Sequence, residues 1–596
     1  MYQSFEVSAR PEQGPPRLLA LRAEMQKEGL DGFVIPRADA HQGEYVAPRD
    51  ERLAWLTGFT GSAGFCAALV ETAGVFIDGR YRTQVKTQVA EAFTPVPWPE
   101  ISLGAWLREQ LPQGGVVGFD PWLHTPGQIA QTEAVLEGSG VTLRQSTNLV
   151  DRIWADQPAP PMAQAKVHPL QFAGESHAEK RHKVGAVLRD AGQAAAVITL
   201  PDSLCWLLNI RGSDIPRNPV VHGFAVLHQS GVVDAFVAAA KVGGLDDHLG
   251  DEVSVRDPSE LLSYLDGLDG PVRLDKLSVP VVIADRLDDR KVWGDDPCAL
   301  PKARKNEAEI AGAAAAHLRD GAALVEVLCW LEGQPPGTVT ETQVVTQLET
   351  ARRRDNALRD ISFETIAGTG PNGAIMHYRV TEETDSILQE GQLLVLDSGG
   401  QYLDGTTDIT RTIPIGAPPP EASAAFTRVL AGMIAMSRLR WPVGLAGRDI
   451  ECVGRLPLWM AGQDFDHGLG HGVGAYLSVH EGPQRLSRLS DVSLEPGMIL
   501  SNEPGYYREG AFGIRIENLL VVRDAPELEG GDAHRKMLQW QTLSFAPIDR
   551  RLIVTEMLDT SARDWLNAYH AGVAEKIGPR LSPDAKLWLD AATVPI

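Results

Sequence analysis

Cysteine is scarce and badly placed for either of its structural uses. The 596-residue chain has five: Cys66, Cys205, Cys298, Cys329 and Cys452. Their odd number, wide spacing and lack of any CxxC pair exclude a disulfide framework and a cysteine-based zinc site, and leave buried reduced thiols. Long apolar runs are missing as well. No stretch reaches the ~18 uncharged apolar residues of a membrane span, and the opening residues MYQSFEVSARPEQGPPRLLALRAEM lack the basic-then-apolar order of a secretory signal. The chain therefore reads as a soluble cytoplasmic protein. Basic charge is in deficit, with 55 Lys and Arg against 78 Asp and Glu, a net charge of −23. A surface of that sign repels nucleic acid and anionic lipid, so neither is expected as a partner. Gly and Pro, 58 and 40 residues, stay well under the roughly 25–30% that marks low complexity. What remains is an ordinary globular composition, 43% hydrophobic and 22% charged. At ~150 residues per domain, two to four domains are expected.

Helix and strand signals alternate through the first half, which argues for α/β layers. Residues 17–31 have helical spacing, 33–36 (FVIP) form a short apolar strand, and 54–70 and 74–83 read as strand and turn material. The Pro-rich QPAPPM (157–162) marks a boundary. Beyond it the plan repeats: a helical stretch (178–191), AAAVITLP (194–201), CWLLNIRGSD (205–214) and GFAVLHQSGVVDAFV (223–237). The words AWLTGFTGS (54–62) and CWLLNIRGS (205–213) align Trp55 with Trp206, Leu56 with Leu207, Gly61 with Gly212 and Ser62 with Ser213. A duplicated domain is expected. Helical periodicity resumes from about Asn306 to Glu332 and PP at 335–336 closes it. Strand-rich sequence (361–416), a helix (421–440), Gly-rich and strand material to about 523 and a helical end around 564–577 follow.

Four words in this last segment carry chemistry. In LLVLDSGGQYLDGTTDITRT (393–412) two strands each bear a carboxylate, and a hairpin-like return between them would set Asp397 beside Asp408. Adjacent carboxylates repel unless they share a proton or a cation. FDHGLGHGVGAYLSVHEGP (465–483) holds His467, His471 and His480. A spacing of four between the first two suggests a helical zinc motif, but Gly468, Gly470, Gly472 and Gly474 argue against a helix. In a loop or ribbon only one of that pair need be a ligand. MILSNEPGYY (498–507) places Glu503 at the end of an apolar strand. In FGIRIENLLVV (512–522), Arg515 and Glu517 interrupt an otherwise apolar strand, a costly place for a carboxylate unless it is paired or metal-bound. Carboxylates with one imidazole suit Mn²⁺, Zn²⁺ or Co²⁺, and two divalent ions would neutralise four carboxylates.

At these words the chain closely resembles the aminopeptidase P family, whose members remove an N-terminal residue preceding proline. That family belongs to the pita-bread superfamily with methionine aminopeptidase, prolidase and creatinase. The likeness runs from end to end, through AWLTGFTGSAG (54–64), WLLNIRGSDIPRNPV (206–220), PKARKN and EIAG (301–312), DSGGQYLDGTTDITRT, HGLGHGVG, VHEGP, NEPGYY, GIRIEN and the APID and WLNAYH stretches (546–549, 565–570). It implies an α/β (α+β) chain of three parts: an N-terminal α/β domain (1–156), a second creatinase-like α/β domain related to it (157–303), and a pita-bread catalytic domain (304–596) with a C-terminal extension from about 525. It implies two divalent ions per subunit, Mn²⁺ in first place. Asp397 would bind one, Asp408 and Glu517 would bridge both, and His471 and Glu503 would complete the other. His377 (in NGAIMHYR) and His467 would border the proline pocket, and His480 would contact the scissile carbonyl. Arg515 would fix Glu517 and its neighbours from outside the ligand set. The implied reaction is attack by a metal-bridging hydroxide with Glu503 as general base, on peptides with proline in second position. The α-amine would bind near Asp397. The two N-terminal domains would restrict access and help build a homodimer. A prolidase confined to dipeptides, a non-catalytic pita-bread binding module and a creatinase-type C–N hydrolase active without metal are the rival readings.

Overall fold

A computed structural model of the chain describes residues 1–532 and 534–596. They gather into two compact units, one of Ser8–Leu170 with Glu175–Ala299, the other of Met1–Val7, Gln171–Gly174 and Leu300–Ile596.

The first unit holds two six-stranded sheets of identical plan. One runs Thr94–Pro97, Ala73–Ile77, Phe65–Leu69, Gly32–Pro36, Gly115–Phe119, Val141–Gln145; the other runs Val253–Arg256, Val233–Phe236, Phe224–His228, Ala195–Ile198, Val272–Leu274, Lys291–Trp293. In each, the central three strands pair antiparallel and the outer pairings are parallel. The matched words fall at the same place in both copies. Contrary to the strand reading of residue 54 onward, each word begins in a short helix, Arg52–Thr57 and Pro201–Leu208, with the tryptophan three residues before a left-handed terminator, Gly58 (φ 89°) or Asn209 (φ 48°). A short apolar run does not distinguish strand from buried helix; the left-handed residue after it ends the helix.

The second unit opens with the helix Glu307–Glu332, capped reciprocally by Asn306 and Glu309. The strands Ile366–Thr369, Leu393–Ser398 and Ile409–Pro414 form one antiparallel sheet, and a six-stranded sheet carries Asn518–Asp524, Ile499–Asn502, Gly470–Gly472 and Glu481–Leu486 side by side. A hairpin, Gly505–Arg508 with Phe512–Arg515, completes the site side. Residues 512–522 are thus two strands, not one. Between them Ile516 N–H bonds Pro504 O (3.3 Å) and Glu517 N–H bonds Thr410 O (3.1 Å), so non-local backbone partners break the ladder at the carboxylate. The C-terminal stretch is built into the same core. Met537–Thr542 joins the large sheet, and Tyr569, on the helix Thr560–Ile577, meets the buried Arg411 guanidinium (2.8 Å).

The first residues of the chain belong to this unit. Gln3 and Thr365 exchange side-chain-to-backbone hydrogen bonds (3.2 and 2.8 Å), Tyr2 N–H donates to Glu349 (2.7 Å) and Glu382 N–H to Phe5 O (2.9 Å). All five cysteines are free, but only Cys66, Cys205 and Cys298 are buried; Cys329 is half-buried and Cys452 exposed. The expectation of five buried thiols fails at Cys452, which heads an eight-residue helix that buries Gly454, Arg455 and Leu458 instead, and in part at Cys329.

Candidate metal centre

The hairpin-like return expected around Asp397 is present. Leu393–Ser398 pairs antiparallel with Ile409–Pro414, putting Asp397 opposite Thr410 and leaving Asp408 one residue before the second strand. Gly399 permits the close return, since a Cβ there would stand 1.9 Å from Thr407 O. Every residue of both strands is buried, and Asp397 and Asp408 are 8% and 4% exposed.

His471 sits in the short strand Gly470–Gly472, whose backbone lies so near the next strand that a Cβ at Gly470 would be 1.9 Å from Ser501 O. The glycines therefore serve a ribbon packed on its neighbour. Ring atom Nδ1 lies 2.9 Å from Gly472 O. A carbonyl only accepts, so the proton is on Nδ1 and the Nε2 lone pair faces outward. It points at Asp408 Oδ2 (3.5 Å) and Glu503 Oε1 (3.4 Å). Ligand atoms of Asp408, His471 and Glu517 all lie within 4.8 Å of one another. Glu517, 1% exposed, accepts from Thr410 Oγ1 (2.8 Å), and Glu503 accepts from Ser501 Oγ (3.0 Å).

Among the described residues Arg515 is the arginine that bonds a carboxylate side chain of this cluster, while the buried Arg352 and Arg411 act electrostatically on Asp408 and Glu517. Arg515 donates to Asp397 Oδ2 (2.6 Å), Tyr507 Oη (2.7 Å) and Thr410 Oγ1 (3.4 Å). Burial opposes its charge, but Tyr507, Asp397 and Glu503 outweigh that and hold the guanidinium well above its ordinary pKa. Tyr507 in turn meets His467 Nε2 (2.9 Å), whose Nδ1 bonds Gly468 O (2.7 Å); its own hydroxyl is pushed up to about 12, by burial first. His467 Nδ1 is 4.0 Å from Glu503, and the His480 ring centroid lies 4.3 Å from that of His471. His377 is half-buried in the turn after Gly370–Ala374.

Three buried carboxylates and the half-buried Glu503, with a single arginine bonded to their side chains, are short of positive charge. Asp408, Glu503 and Glu517 are all pushed above the ordinary carboxylate range, by burial first. Asp397 adds repulsion on all three, and Glu503 on Asp408 and Glu517. Asp397 Oδ1 is buried and accepts no hydrogen bond. An imidazole lone pair facing carboxylate oxygens, a carboxylate oxygen with no donor, and raised affinity for protons together fit divalent cations of the hard or borderline kind. A second acid–histidine group, Asp39, Asp50 and His222, has fewer carboxylates and more cationic partners, although burial raises Asp50 and Asp39 Oδ2 accepts no hydrogen bond. Arg52 lies on Asp50 (2.8 Å) and His222 on Asp39 (3.3 Å). Burial works to raise Asp39, yet His222 and His41 hold it below the ordinary range.

Thr410, Ser501 and Tyr507 support the centre and escaped the sequence reading. The first two had a signal. Thr410 stands two residues after Asp408 and Ser501 two before Glu503, and residues two apart on a strand share a face. Tyr507 had none, because its contacts depend on the hairpin.

Comparison with known proteins follows the same outline. Residues 311–524 match metallopeptidase family M24 and 536–596 the C-terminal region of peptidase M24, while 17–153 and 156–309 each match a creatinase/prolidase N-terminal domain. A protein of Aspergillus fumigatus named "Probable Xaa-Pro aminopeptidase P" is 36% identical over 97% of this chain and 92% of its own. Aminopeptidase P2 of Arabidopsis thaliana is 36% identical over 95% and 86%. The crystal structure of the X-prolyl aminopeptidase of Caenorhabditis elegans, described as a cytosolic enzyme with a di-nuclear active site, superposes with a TM-score of 0.93 at 31% identity, over 98% of this chain and 99% of that one. With both creatinase-type sheets, the metallopeptidase domain and its C-terminal region matched in order, the chain belongs to the aminopeptidase P family of M24 metallopeptidases.

Proposed function

We propose that the protein is an Xaa-Pro aminopeptidase, a metal-dependent hydrolase of the bond between an N-terminal residue and a following proline. The cluster of buried Asp397, Asp408 and Glu517 with half-buried Glu503, beside the His471 imidazole, carries the reading. Asp397, Asp408, His471, Glu503 and Glu517 would hold two divalent ions, Mn²⁺ before Zn²⁺ or Co²⁺. Bound there, the ions would supply Lewis acidity and lower the pKa of water.

The chain's own residues do the rest. Glu503, half-buried at the rim of the cluster, takes a proton from the attacking water and passes it to the leaving proline nitrogen. His480, ring to ring with His471, donates to the oxygen of the scissile carbonyl as charge develops. The free α-amine binds beside Asp397, which restricts cleavage to the first bond. A prolyl nitrogen offers no N–H, so selection rests on the shape of a pocket bordered by His377 and His467. Arg515 holds Asp397 and, through Tyr507, His467 in one arrangement.

The reading extends to three domains, 1–156, 157–303 and 304–596, to a cytoplasmic location, and to a homodimer. Exposed Leu456, Trp459, Met460 and Leu489 support the last. The test is hydrolysis of Arg-Pro-Pro with and without Mn²⁺. Metal-dependent release of arginine is expected. Cleavage of Xaa-Pro dipeptides alone makes the protein a prolidase, and neither activity nor bound metal makes it a binding module.

A further inference from the structure

Glu341 is a buried acid with no cation. It begins the helix Glu341–Arg352, is 0% exposed, and among the described residues pairs with no lysine or arginine. Its oxygens instead collect donors from one segment. Oε1 accepts from Thr369 N (2.6 Å) and Asn372 Nδ2 (3.0 Å), and Oε2 from Tyr378 Oη (2.8 Å) and Ser386 N (3.2 Å). Burial pushes its pKa to about 7 in spite of these bonds. An uncompensated buried acid is expensive, and what this one achieves is to fasten residues 369–386 at four points.

That segment contains His377. Its neighbour Tyr378, 5% exposed, is drawn in by Glu341 and fixes the backbone from which His377 departs. On another side the segment is wedged against the strand of Arg515, since a Cβ at Gly513 would stand 1.7 Å from Gly373 O. Glu382 is tied to Phe5 and Arg379 to Ser4 O (3.2 Å).

We infer that Glu341 is a positioning residue for the peptidase reaction, clamping residues 369–386 so that His377 meets the prolyl ring at a fixed place. The inference rests on the role given to His377 above. It touches neither substrate nor metal, so its loss acts on substrate binding more than on metal content.

The test is a double-mutant cycle on Arg-Pro-Pro hydrolysis, with metal content measured throughout. Glu341→Gln sets an amide N–H₂ against existing donors. It is expected to raise KM about tenfold or more, in line with the cost of misplacing a positioning group, with metal per subunit unchanged. Tyr378→Phe removes one donor and preserves the fold if the first variant does not fold; its expected effect is smaller and of the same sign. In a His377→Ala background both effects on KM should vanish. Unchanged KM in Tyr378→Phe and Glu341→Gln, or effects that add in full to that of His377→Ala, overturn the inference. A silent His377→Ala overturns it too but leaves the peptidase reading standing. A wild-type protein without Xaa-Pro activity refutes both.

Discussion

Replacing Thr410 by Val removes one oxygen from the centre and almost nothing else. The side chain is fully buried, and its hydroxyl donates to Glu517 Oε2 (2.8 Å) while accepting from Arg515 Nε (3.4 Å). Valine keeps the shape, so no cavity opens. A hydrogen bond to a charged group contributes about 1.5–3 kcal/mol. At 1.4 kcal/mol per tenfold, the loss corresponds to roughly 10- to 100-fold weaker metal binding, the range found when a ligand's supporting partner is removed. After chelator dialysis, Mn²⁺ is titrated while arginine release from Arg-Pro-Pro is followed. The half-activating Mn²⁺ concentration should rise by that factor, with kcat at saturation changed only a few-fold. Thr410→Ser should restore the wild-type requirement. Thr410→Val folded and activated at the wild-type Mn²⁺ concentration would refute the claim that Glu517 is a ligand held in place by this hydroxyl.

Asp408→Ala should abolish peptide hydrolysis, and substantial turnover would rule out the two-ion centre. Glu481, 2% exposed, receives Lys302 (3.0 Å) and Lys305, both buried. Glu481→Gln strands two lysines and should destabilise by about 3–5 kcal/mol, read as a lower urea midpoint; an unmoved midpoint contradicts it. His570, fully buried, has a pKa held down to about 4 by burial and then by Arg411 and Arg550, while Nε2 accepts from Ile548 N (3.1 Å). Its folded pKa is depressed, so the unfolded chain takes the proton first and stability falls as pH drops from 6.5 towards 4. That loss is about 3 kcal/mol over the window. His570→Gln, which can still accept from Ile548, should flatten the slope, and an identical slope in both proteins rejects the assignment.

The acids of the centre were legible because each lies on or beside a strand, where a carboxylate in apolar surroundings demands an explanation. The break at Ile516 and Glu517 was not, because apolar alternation does not record that Pro504 and Thr410 take their amides. The helix at Trp55 was hidden in a run too short for its period to show, although Gly58 supplied the stop. One matched word pointed to two halves of similar build, but the common strand order of the two sheets comes from pairings spread across each half. Glu341 was invisible. An acid opening a helix reads as an ordinary partner of the helix dipole, and only the folding of residues 369–386 over it makes it a clamp.

The first seven residues join a unit whose remaining strands begin beyond residue 300. Gln3 waits for a partner 362 residues downstream, on the order of half a minute of synthesis at about 5–20 residues per second. During that interval the earlier sheets can close before the partners of residues 1–7 have been made. A protease cutting after Val7 at any later time would leave every proposed ligand on one fragment, yet detach the hold on Thr365 and Glu382. Such a nick would leave the metal centre nearly intact while slackening its grip on the peptide, a lesion that metal analysis alone would miss.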